Sequence, residues 1–383
     1  MRVPAVIMRG GTSKGLFFHE RDLPADPDAA DRFILAAYGS PDPYRRQIDG
    51  LGGATSTTSK VAVIGDGGPH GVDVTYHFGQ VSIDEPLIDR RGNCGNMSSA
   101  VGPFAVDEGL VEATDPVTVV RFLNVNTGKV IVAHVATRDG RFDPVGELAI
   151  PGIPGTGSPV RLDYLEPGGA VTGALLPTGR QTDVLDVPLG AVEVSLVDAS
   201  NPLVFVRFED VGLTGTEQPE EIDADADMLA TLETIRAAAG VRMGVAADLA
   251  GAARTPSVPK LALVGGSRDY LRIDGVPVAA GEAGVRAVMM SMGRVHRSYP
   301  LTGAICTAVA TQLPDTVAAR ANRPDAGGVT LIGHPSGVLE MQASPRLADD
   351  VWTVDSVSAY RTARRLMEGW ALVPEEAAQV AQP

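Results

Sequence analysis

The sequence contains few cysteines, few aromatic residues and no long hydrophobic run. Only Cys94 and Cys306 occur among the 383 residues, and free thiols in a reducing compartment are a simpler interpretation than one disulfide. No apolar stretch reaches the roughly 18–20 residues that a membrane-spanning helix needs. The first residues also lack the apolar core and small-residue cleavage site of a secretory signal. We therefore expect a cytoplasmic protein.

Positive charge is scarce as well. The sequence has 32 basic and 47 acidic residues, which gives a net charge of −15. This balance argues against broad binding to nucleic acids or anionic membranes, although a locally positive pocket could still hold a small anion. The six histidines show no metal-binding spacing such as HxxxH. Phosphate-loop, dinucleotide and G-x-S-x-G motifs are also missing. We expect neither a metal nor a cofactor.

Glycine and proline, by contrast, are abundant, with 44 and 28 residues. The length suits two domains of about 150–200 residues each. SKVAVIG (59–65) matches PKLALVG (259–265), and the turn before a helix at Gly95-Asn96 matches the one at Thr302-Gly303. The order is the same in both halves, which predicts a duplicated domain, 1–188 followed by 189–383. The alternative is a chance similarity of short strands.

Apolar runs of strand length, interspersed with helical patterns, predict an α+β protein. The predicted strands are 3–8, 15–18, 61–64, 72–78, 80–83, 117–123, 130–137, 192–197, 204–208, 260–264, 283–290 and 337–342. The predicted helices are 28–38, 97–109, 226–239, 302–312 and a closing helix at 360–368.

Cys94 lies in the polar turn RGNCGN (91–96), directly before a predicted helix. The free N–H groups and the positive dipole end of a helix N-terminus favour a thiolate and bind carboxylates. A structural cysteine normally lies in an apolar run, so the glycine and asparagine neighbours favour a functional thiol. Cys306, within the small-residue sequence AICTAV, is interpreted instead as a buried packing residue.

Lys60 follows a run of glycines and hydroxyl residues (52–59) and precedes a strongly apolar strand. Such a lysine is either an exposed gatekeeper or an amine held at the border of the core, where it could act as a base. The preceding hydroxyls, including Ser56, could line an anion site or form an ordinary loop. The residues alone leave both alternatives open.

Long motifs over nearly the whole chain resemble the 2-methylaconitate isomerase family, which includes methylitaconate Δ-isomerases and 4-oxalomesaconate tautomerases. They are MRGGTSKG (8–15), GSPDPYRRQIDGLGGATSTTSK (39–60), FGQVSIDEP (78–86), GNCGNMSSAVGPFA (92–105), LLPTG (175–179), SLVDASNP (195–202), HRSYPLTGAICTAVA (296–310) and RTARRLMEG (361–369). The resemblance implies a diaminopimelate-epimerase-like fold. Two pseudo-repeated domains would each wrap a curved, mostly antiparallel sheet around a central helix, with the site in the cleft between them. We also expect the last segment to pack back on the first domain.

By the same resemblance, Lys60 and Cys94 match the family's catalytic lysine and cysteine. The expected substrate-binding residues are Ser13, Ser56, Asn93, Gly95, Asn96, Lys260, Ser291, Thr302 and Gly303. Epimerases of this fold carry a second catalytic cysteine in a Cys-Gly-Thr-Gly turn, where this chain reads PLTG (300–303). A two-cysteine racemase acting on one carbon is therefore disfavoured, and a lysine–cysteine pair acting on two carbons fits better.

The activity that the resemblance implies is a cofactor-independent 1,3-allylic proton transfer. It would shift the C=C bond of a small unsaturated di- or tricarboxylate such as 2-methylaconitate or methylitaconate. A 4-oxalomesaconate tautomerase or an aconitate isomerase is the alternative, followed by an epimerase or racemase and by a non-catalytic carboxylate-binding protein. A homodimer is the expected assembly. The sequence decides neither which acid is the substrate nor which of Lys60 and Cys94 is the base.

Overall fold

The computed structural model describes residues 1–90, 93–256, 258–291, 293–323 and 326–374. The chain divides into two compact units. Residues 1–163 and the described residues from Tyr360 onward form the first unit, and Tyr164–Ala359 form the second. The predicted boundary near residue 188 lies within the second unit.

The first unit opens with nine strands and two helices. The strands are β1 (Arg2–Gly10), β2 (Ser13–His19), β3 (Lys60–Asp66), β4 (Val74–Val81), β5 (Ile88–Asp89), β6 (Val117–Asn124), β7 (Lys129–Arg138), β8 (Arg141–Phe142) and β9 (Val160–Leu165), whose end belongs to the second unit. The helices are α1 (Pro27–Tyr38) and α2 (Gly95–Asp107). The two strands predicted at 72–78 and 80–83 form one strand, β4, which Gly79 does not interrupt.

The sheet of the first unit carries one helix on each face. Its successive strands β1, β2, β3, β4, β6 and β7 pair antiparallel, except that β2 pairs with β3, and β4 with β6, in parallel. On one face Leu16, Phe18 and Val61 pack in a cluster with residues of α1. On the other face lies α2, which is small or apolar almost all round and is buried along nearly its whole length, as a central helix must be.

The second unit is built from the intervening part of the chain. Its strands are β10 (Asp183–Val187), β11 (Gly190–Ala199), β12 (Asn201–Arg207), β13 (Lys260–Gly266), β14 (Tyr270–Leu271), β15 (Pro277–Val278), β16 (Val285–Ser291), β17 (Arg294–Val295), β18 (Val329–His334), β19 (Gly337–Ala348) and β20 (Val351–Arg361), whose last two residues belong to the first unit. Its helices are α3 (Pro219–Ala224), α4 (Ala226–Arg242), α5 (Leu249–Arg254), α6 (Leu301–Gln312) and α7 (Val317–Ala321).

The second unit repeats the strand order of the first. Strands β11, β12, β13, β16, β18 and β19 pair in succession, with β12–β13 and β16–β18 parallel and the other pairs antiparallel. Helix α6 takes the place of α2 and is likewise buried along nearly its whole length. The α+β fold of two pseudo-repeated, mostly antiparallel sheets, each with a central helix, is thereby confirmed.

The segment after Arg361 forms a strand, β21 (Ala363–Leu372), which pairs antiparallel with β1. The predicted closing helix at 360–368 is therefore wrong. Its arginines, leucine, methionine and glutamate are good helix formers. However, pairing with β1 satisfies the backbone of both segments and overrides this local preference. Through this pairing the last described segment packs against the first unit.

Candidate active site

Lys60 begins β3 and is buried, with 9% of its surface exposed. It lies opposite Gly15 of β2, and a Cβ atom at residue 15 would be 2.0 Å from the Lys60 carbonyl oxygen and 2.8 Å from Met97 Cε of α2. Residues paired across neighbouring strands point to the same face of a sheet. The Lys60 side chain therefore lies on the α2 face, and the exposed-gatekeeper interpretation is wrong.

The Lys60 amine contacts a neutral acceptor. Its Nζ donates to Gln80 Oε1 at 2.5 Å, and the Phe78 ring centroid lies 5.3 Å from the same nitrogen. In the described part of the chain, no carboxylate forms an ion pair with Lys60. The amine is therefore held by a neutral hydrogen-bond acceptor and an aromatic ring rather than by an ionic partner.

Tyr38 fixes the backbone at Lys60. The fully buried Tyr38 hydroxyl donates to the Lys60 carbonyl and accepts from the Leu16 N–H at 2.9 Å. Burial raises the pKa of Tyr38 above its usual value, so this hydroxyl keeps its proton at neutral pH. One side chain of α1 thus ties together the starts of β2 and β3.

Cys94 is the N-cap residue of α2, with extended backbone angles (φ −108°, ψ 100°). The thiol is free and half-buried, and its side chain makes no capping hydrogen bond. The Cys94 carbonyl accepts from the Ser98 N–H at 2.9 Å, while the Ser98 hydroxyl donates to Asn93 Oδ1 at 3.1 Å. The thiol therefore lies at a helix start whose first N–H groups face away from the helix body and can receive an anion.

The Asn96 side chain holds the turn between β1 and β2. Its Nδ2 donates to Thr12 Oγ1 at 2.9 Å, and its Oδ1 accepts from Arg361 Nε at 3.4 Å. A Cβ atom at Gly11, where φ is +50°, would be 2.2 Å from Asn96 Oδ1, so only glycine fits this turn. The side chain is thus engaged within the first unit. The expected contact of Asn96 with substrate stays a prediction, and its backbone N–H is the better candidate for it.

The two predicted serines of the first unit occupy different surroundings. Ser13 is buried on β2, two residues before Gly15, and so lies on the same face as Lys60. Ser56 is exposed, in a turn where the Thr55 hydroxyl bonds those of Thr57 and Thr58 at 2.9 and 2.8 Å. The α2 side of the first sheet thus carries Ser13 and Lys60, whereas Ser56 lies at the surface.

The predicted residues of the second unit lie at the ends of two strands and at the start of α6. Lys260 begins β13, Ser291 ends β16, and Thr302 and Gly303 form the first turn of α6. A Cβ atom at Gly303 would be 2.2 Å from Met289 Cε, so glycine permits the close approach of α6 to β16. Burial lowers the pKa of Lys260, so at a given pH a larger fraction of this amine is neutral than of an exposed lysine.

Sequence reasoning did not single out Gln80, Tyr38 or His296 as site residues. His296 N–H donates to the Met289 carbonyl at 2.8 Å, and burial, together with the charge of nearby Lys260, lowers the pKa of His296. Gln80 and His296 both lie inside the long family motifs, which is the signal that could have marked them. Cys306 is fully buried, its thiol donates to the Val197 carbonyl at 3.3 Å, and burial raises its pKa. The packing role of Cys306 is confirmed.

The described residues contain neither a metal-binding cluster nor a membrane-spanning helix. Across those residues, no cluster of three or more His, Cys, Asp or Glu side chains could hold a metal ion. Within the same ranges, no helix is both long and apolar enough to cross a membrane.

Several relatives match this chain almost end to end. The 3-methylitaconate isomerase of Eubacterium barkeri is 42% identical, and the match covers 97% of each chain. The 2-methyl-aconitate isomerase of Cupriavidus necator is 38% identical over 98% of each, and the (4E)-oxalomesaconate Delta-isomerase of Novosphingobium sp. is 40% identical over 97% of each.

Two solved structures superpose on this chain over nearly its whole length. A methylitaconate-delta-isomerase superposes with a TM-score of 0.90 at 42% identity, covering 100% of this chain and 98% of the other. A hydroxyproline epimerase from Agrobacterium vitis superposes with a TM-score of 0.52 at 14% identity, covering 100% and 96%, and shows the shared fold alone. The class is therefore that of isomerases with the epimerase-like fold. The chain belongs to the PrpF protein family, whose model matches residues 1–374.

Proposed function

We propose that this chain is a cytoplasmic, cofactor-independent isomerase that shifts the C=C bond of a small unsaturated di- or tricarboxylate such as 2-methylaconitate or methylitaconate. The observation that carries the proposal is the position of Lys60. It is a buried amine with a neutral acceptor, on the face of the sheet where α2 packs, and Cys94 is the N-cap residue of α2. The names of the relatives support the substrate class.

The reaction is a 1,3-proton transfer in which Lys60 and Cys94 act on different carbons. The neutral Lys60 amine removes a proton from the carbon next to a carboxylate, and the electron pair of the broken C–H bond spreads into that carboxylate. The Cys94 thiol then gives its proton to the allylic carbon as the double bond moves. The lysine ends as the ammonium ion and the cysteine as the thiolate, and proton exchange with solvent restores both. In the reverse direction the two groups exchange roles.

The cost of the reaction lies in the charge that collects on the carboxylate of the intermediate. The first N–H groups of α2, at Gly95 and Asn96, are donors already fixed in place, and such donors are worth about 3 kcal/mol each when well aimed. We assign Ser13 and Asn93 to the same end of the substrate. Lys260, Ser291, Thr302 and Gly303 are proposed to hold a second carboxylate, while the exposed Ser56 is the weakest of the binding assignments.

The test replaces each proton-transfer residue in turn. Lys60→Met and Cys94→Ser should each lower kcat by about 10²–10⁴-fold and leave substrate affinity within about threefold of wild type. The readout is solvent deuterium incorporation followed by proton NMR, with Lys129→Met on β7 as the matched control. Substantial turnover in Lys60→Met would contradict the assignment of the base.

A substrate panel separates the remaining alternatives. 4-Oxalomesaconate is the second candidate, because one relative at 40% identity is named for it. Ultraviolet absorbance of the conjugated acid and the vinyl NMR signals report movement of the double bond. Deuterium exchange at a stereocentre without any vinyl change would instead indicate an epimerase. Binding without any exchange would indicate a carboxylate-binding protein.

We further propose that the protein forms a homodimer. Sedimentation equilibrium at micromolar concentration measures this directly, and a single species of about 40 kDa, close to the 39.8 kDa of one chain, would contradict it.

A further inference from the structure

Gln80 lies opposite Lys60 in the β3–β4 ladder, and its side-chain amide connects two neighbours. The amide oxygen accepts from Lys60 Nζ at 2.5 Å, and the amide nitrogen donates to the Ser59 carbonyl at 2.8 Å. A carbonyl can only accept, so the NH₂ group must face Ser59 and the oxygen must face Lys60. The orientation of the amide is therefore set by the backbone carbonyl of Ser59, the residue directly before β3.

The groups behind Gln80 are themselves buried and hydrogen-bonded. Ser59 is fully buried, and its hydroxyl donates to Gln47 Oε1 at 2.7 Å. Gln47 is also buried, and its Nε2 donates to Ser40 Oγ at 2.8 Å. A chain of buried and partly buried hydrogen bonds thus runs from Ser40, just after α1, through Ser59 to the Lys60 amine, and groups held in this way position a reacting atom well.

A neutral amide suits an amine that must gain and lose a proton. A carboxylate at this position would stabilise the ammonium ion and resist its deprotonation. An amide oxygen accepts an N–H from either form of the amine. Because a neutral amine has two N–H bonds and one lone pair, fixing one N–H at Gln80 restricts the direction of the lone pair.

We propose that Gln80 is a positioning residue for Lys60, which aims the lone pair of the amine at the substrate carbon without holding the amine in its charged form. This inference rests on the proposed function, in which Lys60 exchanges the substrate proton. Gln80 acts through the Lys60 amine, which it contacts, so its effect should be on the rate and pH profile rather than on substrate affinity.

Two substitutions of Gln80 separate its effect on the direction of the Lys60 lone pair from the effect of a charge at this position. Gln80→Glu should move the midpoint of the kcat–pH profile upward by about one unit, which lowers kcat about tenfold below the midpoint. Gln80→Met should lower kcat by about 10–100-fold without that upward movement, since a misaimed group reacts more slowly. KM should change less than about threefold in both. Gln342→Glu, at an exposed position of β19, adds the same charge and should match wild type.

A second measurement needs no turnover. Acetic anhydride acylates neutral amines, and mass spectrometry reports the extent of labelling at Lys60 as a function of pH. Gln80→Glu should shift the labelling midpoint upward, and Gln80→Met should change the labelling rate at fixed pH at least about threefold. If Gln80→Glu does not fold, as judged by thermal unfolding, the Gln80→Met labelling decides.

The two measurements also separate failure of this inference from failure of the proposed function. Turnover in Lys60→Met, together with shifted labelling in the Gln80 variants, would contradict Lys60 as the base and leave the Gln80–Lys60 contact established. An inactive Lys60→Met with wild-type labelling and pH profiles in both Gln80 variants would overturn the positioning role.

Discussion

At the scale of one residue, the Tyr38 hydroxyl holds two neighbouring strands together. It is buried in the apolar cluster between α1 and the first sheet, yet both of its hydrogen-bonding roles are satisfied by backbone groups of β2 and β3. The parallel pair β2–β3 cannot be joined by a short hairpin, so its register at Lys60 depends on contacts such as this one. Tyr38 therefore belongs with the residues that place the lysine.

Tyr38→Phe should destabilise the first unit by about 1–2 kcal/mol, because it leaves the Leu16 N–H and the Lys60 carbonyl with one partner fewer in the buried interior. A small displacement of Lys60 should also lower kcat several-fold while KM stays near wild type. Urea unfolding and steady-state kinetics measure the two effects. Tyr44→Phe, at a position 82% exposed, is the control, and equal unfolding midpoints in the two variants would show that the hydroxyl contributes nothing.

At the scale of elements, the C-terminal end of α2 is tied to two strands through Glu108. Its carboxylate accepts from His19 Nε2 at 2.9 Å and from Arg365 Nη2 at 2.6 Å. Burial alone would raise the pKa of Glu108, but the hydrogen bonds from His19 and Arg365 outweigh burial and hold it below its usual value. One carboxylate thus joins α2 to β2 and β21.

The sign of the pH dependence follows from that lowered pKa. The stabilisation by ionised Glu108 is fully present above the unfolded-state pKa, near 4.3, and is lost as pH falls through the lower folded-state value. Glu108→Gln should therefore cost about 1 kcal/mol at pH 7, since the group is partly exposed and screened, and should cost progressively less below pH 4. Urea unfolding at several pH values tests this, with exposed Glu340→Gln on β19 as the control. A difference independent of pH would contradict the explanation.

Most helices and strands could be predicted from local sequence patterns, whereas the pairing between distant strands could not. A helix was predictable at 97–109 because a polar turn leads into a small, apolar run, and α2 begins two residues earlier, at Gly95. The position of Gln80 opposite Lys60 was not, because strand register is set by pairing between distant segments. The strand β21 was missed for the same reason, since its helix-forming residues are overruled by the free edge of β1.

At the scale of the whole molecule, the internal repeat predicted equivalent strands in the two units but did not predict how the chain divides between them. The match between 59–65 and 259–265 corresponds to strands β3 and β13, and the lysines that begin them, Lys60 and Lys260, hold equivalent positions in the two sheets. The units themselves are not consecutive halves, because the chain returns to the first unit after residue 359. Similarity between the halves carries no information about such a return, which depends on long-range pairing.

That return makes the last strand part of the first unit's core. Ala371 and Val373 pack in the same buried cluster as Val3 and Ala5, and the Met1 amino group donates to the Val373 carbonyl at 2.5 Å. Deleting everything after Thr362 would expose the backbone edge of β1 and open this cluster. We expect the first unit to lose several kcal/mol, with early proteolytic cleavage in residues 1–163 while the second unit stays resistant.

A peptide of residues 363–374 supplied in trans provides the matched control for that deletion. If the loss comes from strand pairing, the peptide should restore part of the unfolding midpoint by adding a strand to β1, and a scrambled peptide should not. Pulse proteolysis with mass spectrometry locates the cleavage, and thermal unfolding measures the recovery. A truncated chain that unfolds at the wild-type midpoint would show that the pairing of β21 with β1 is not needed for the first unit to hold its structure.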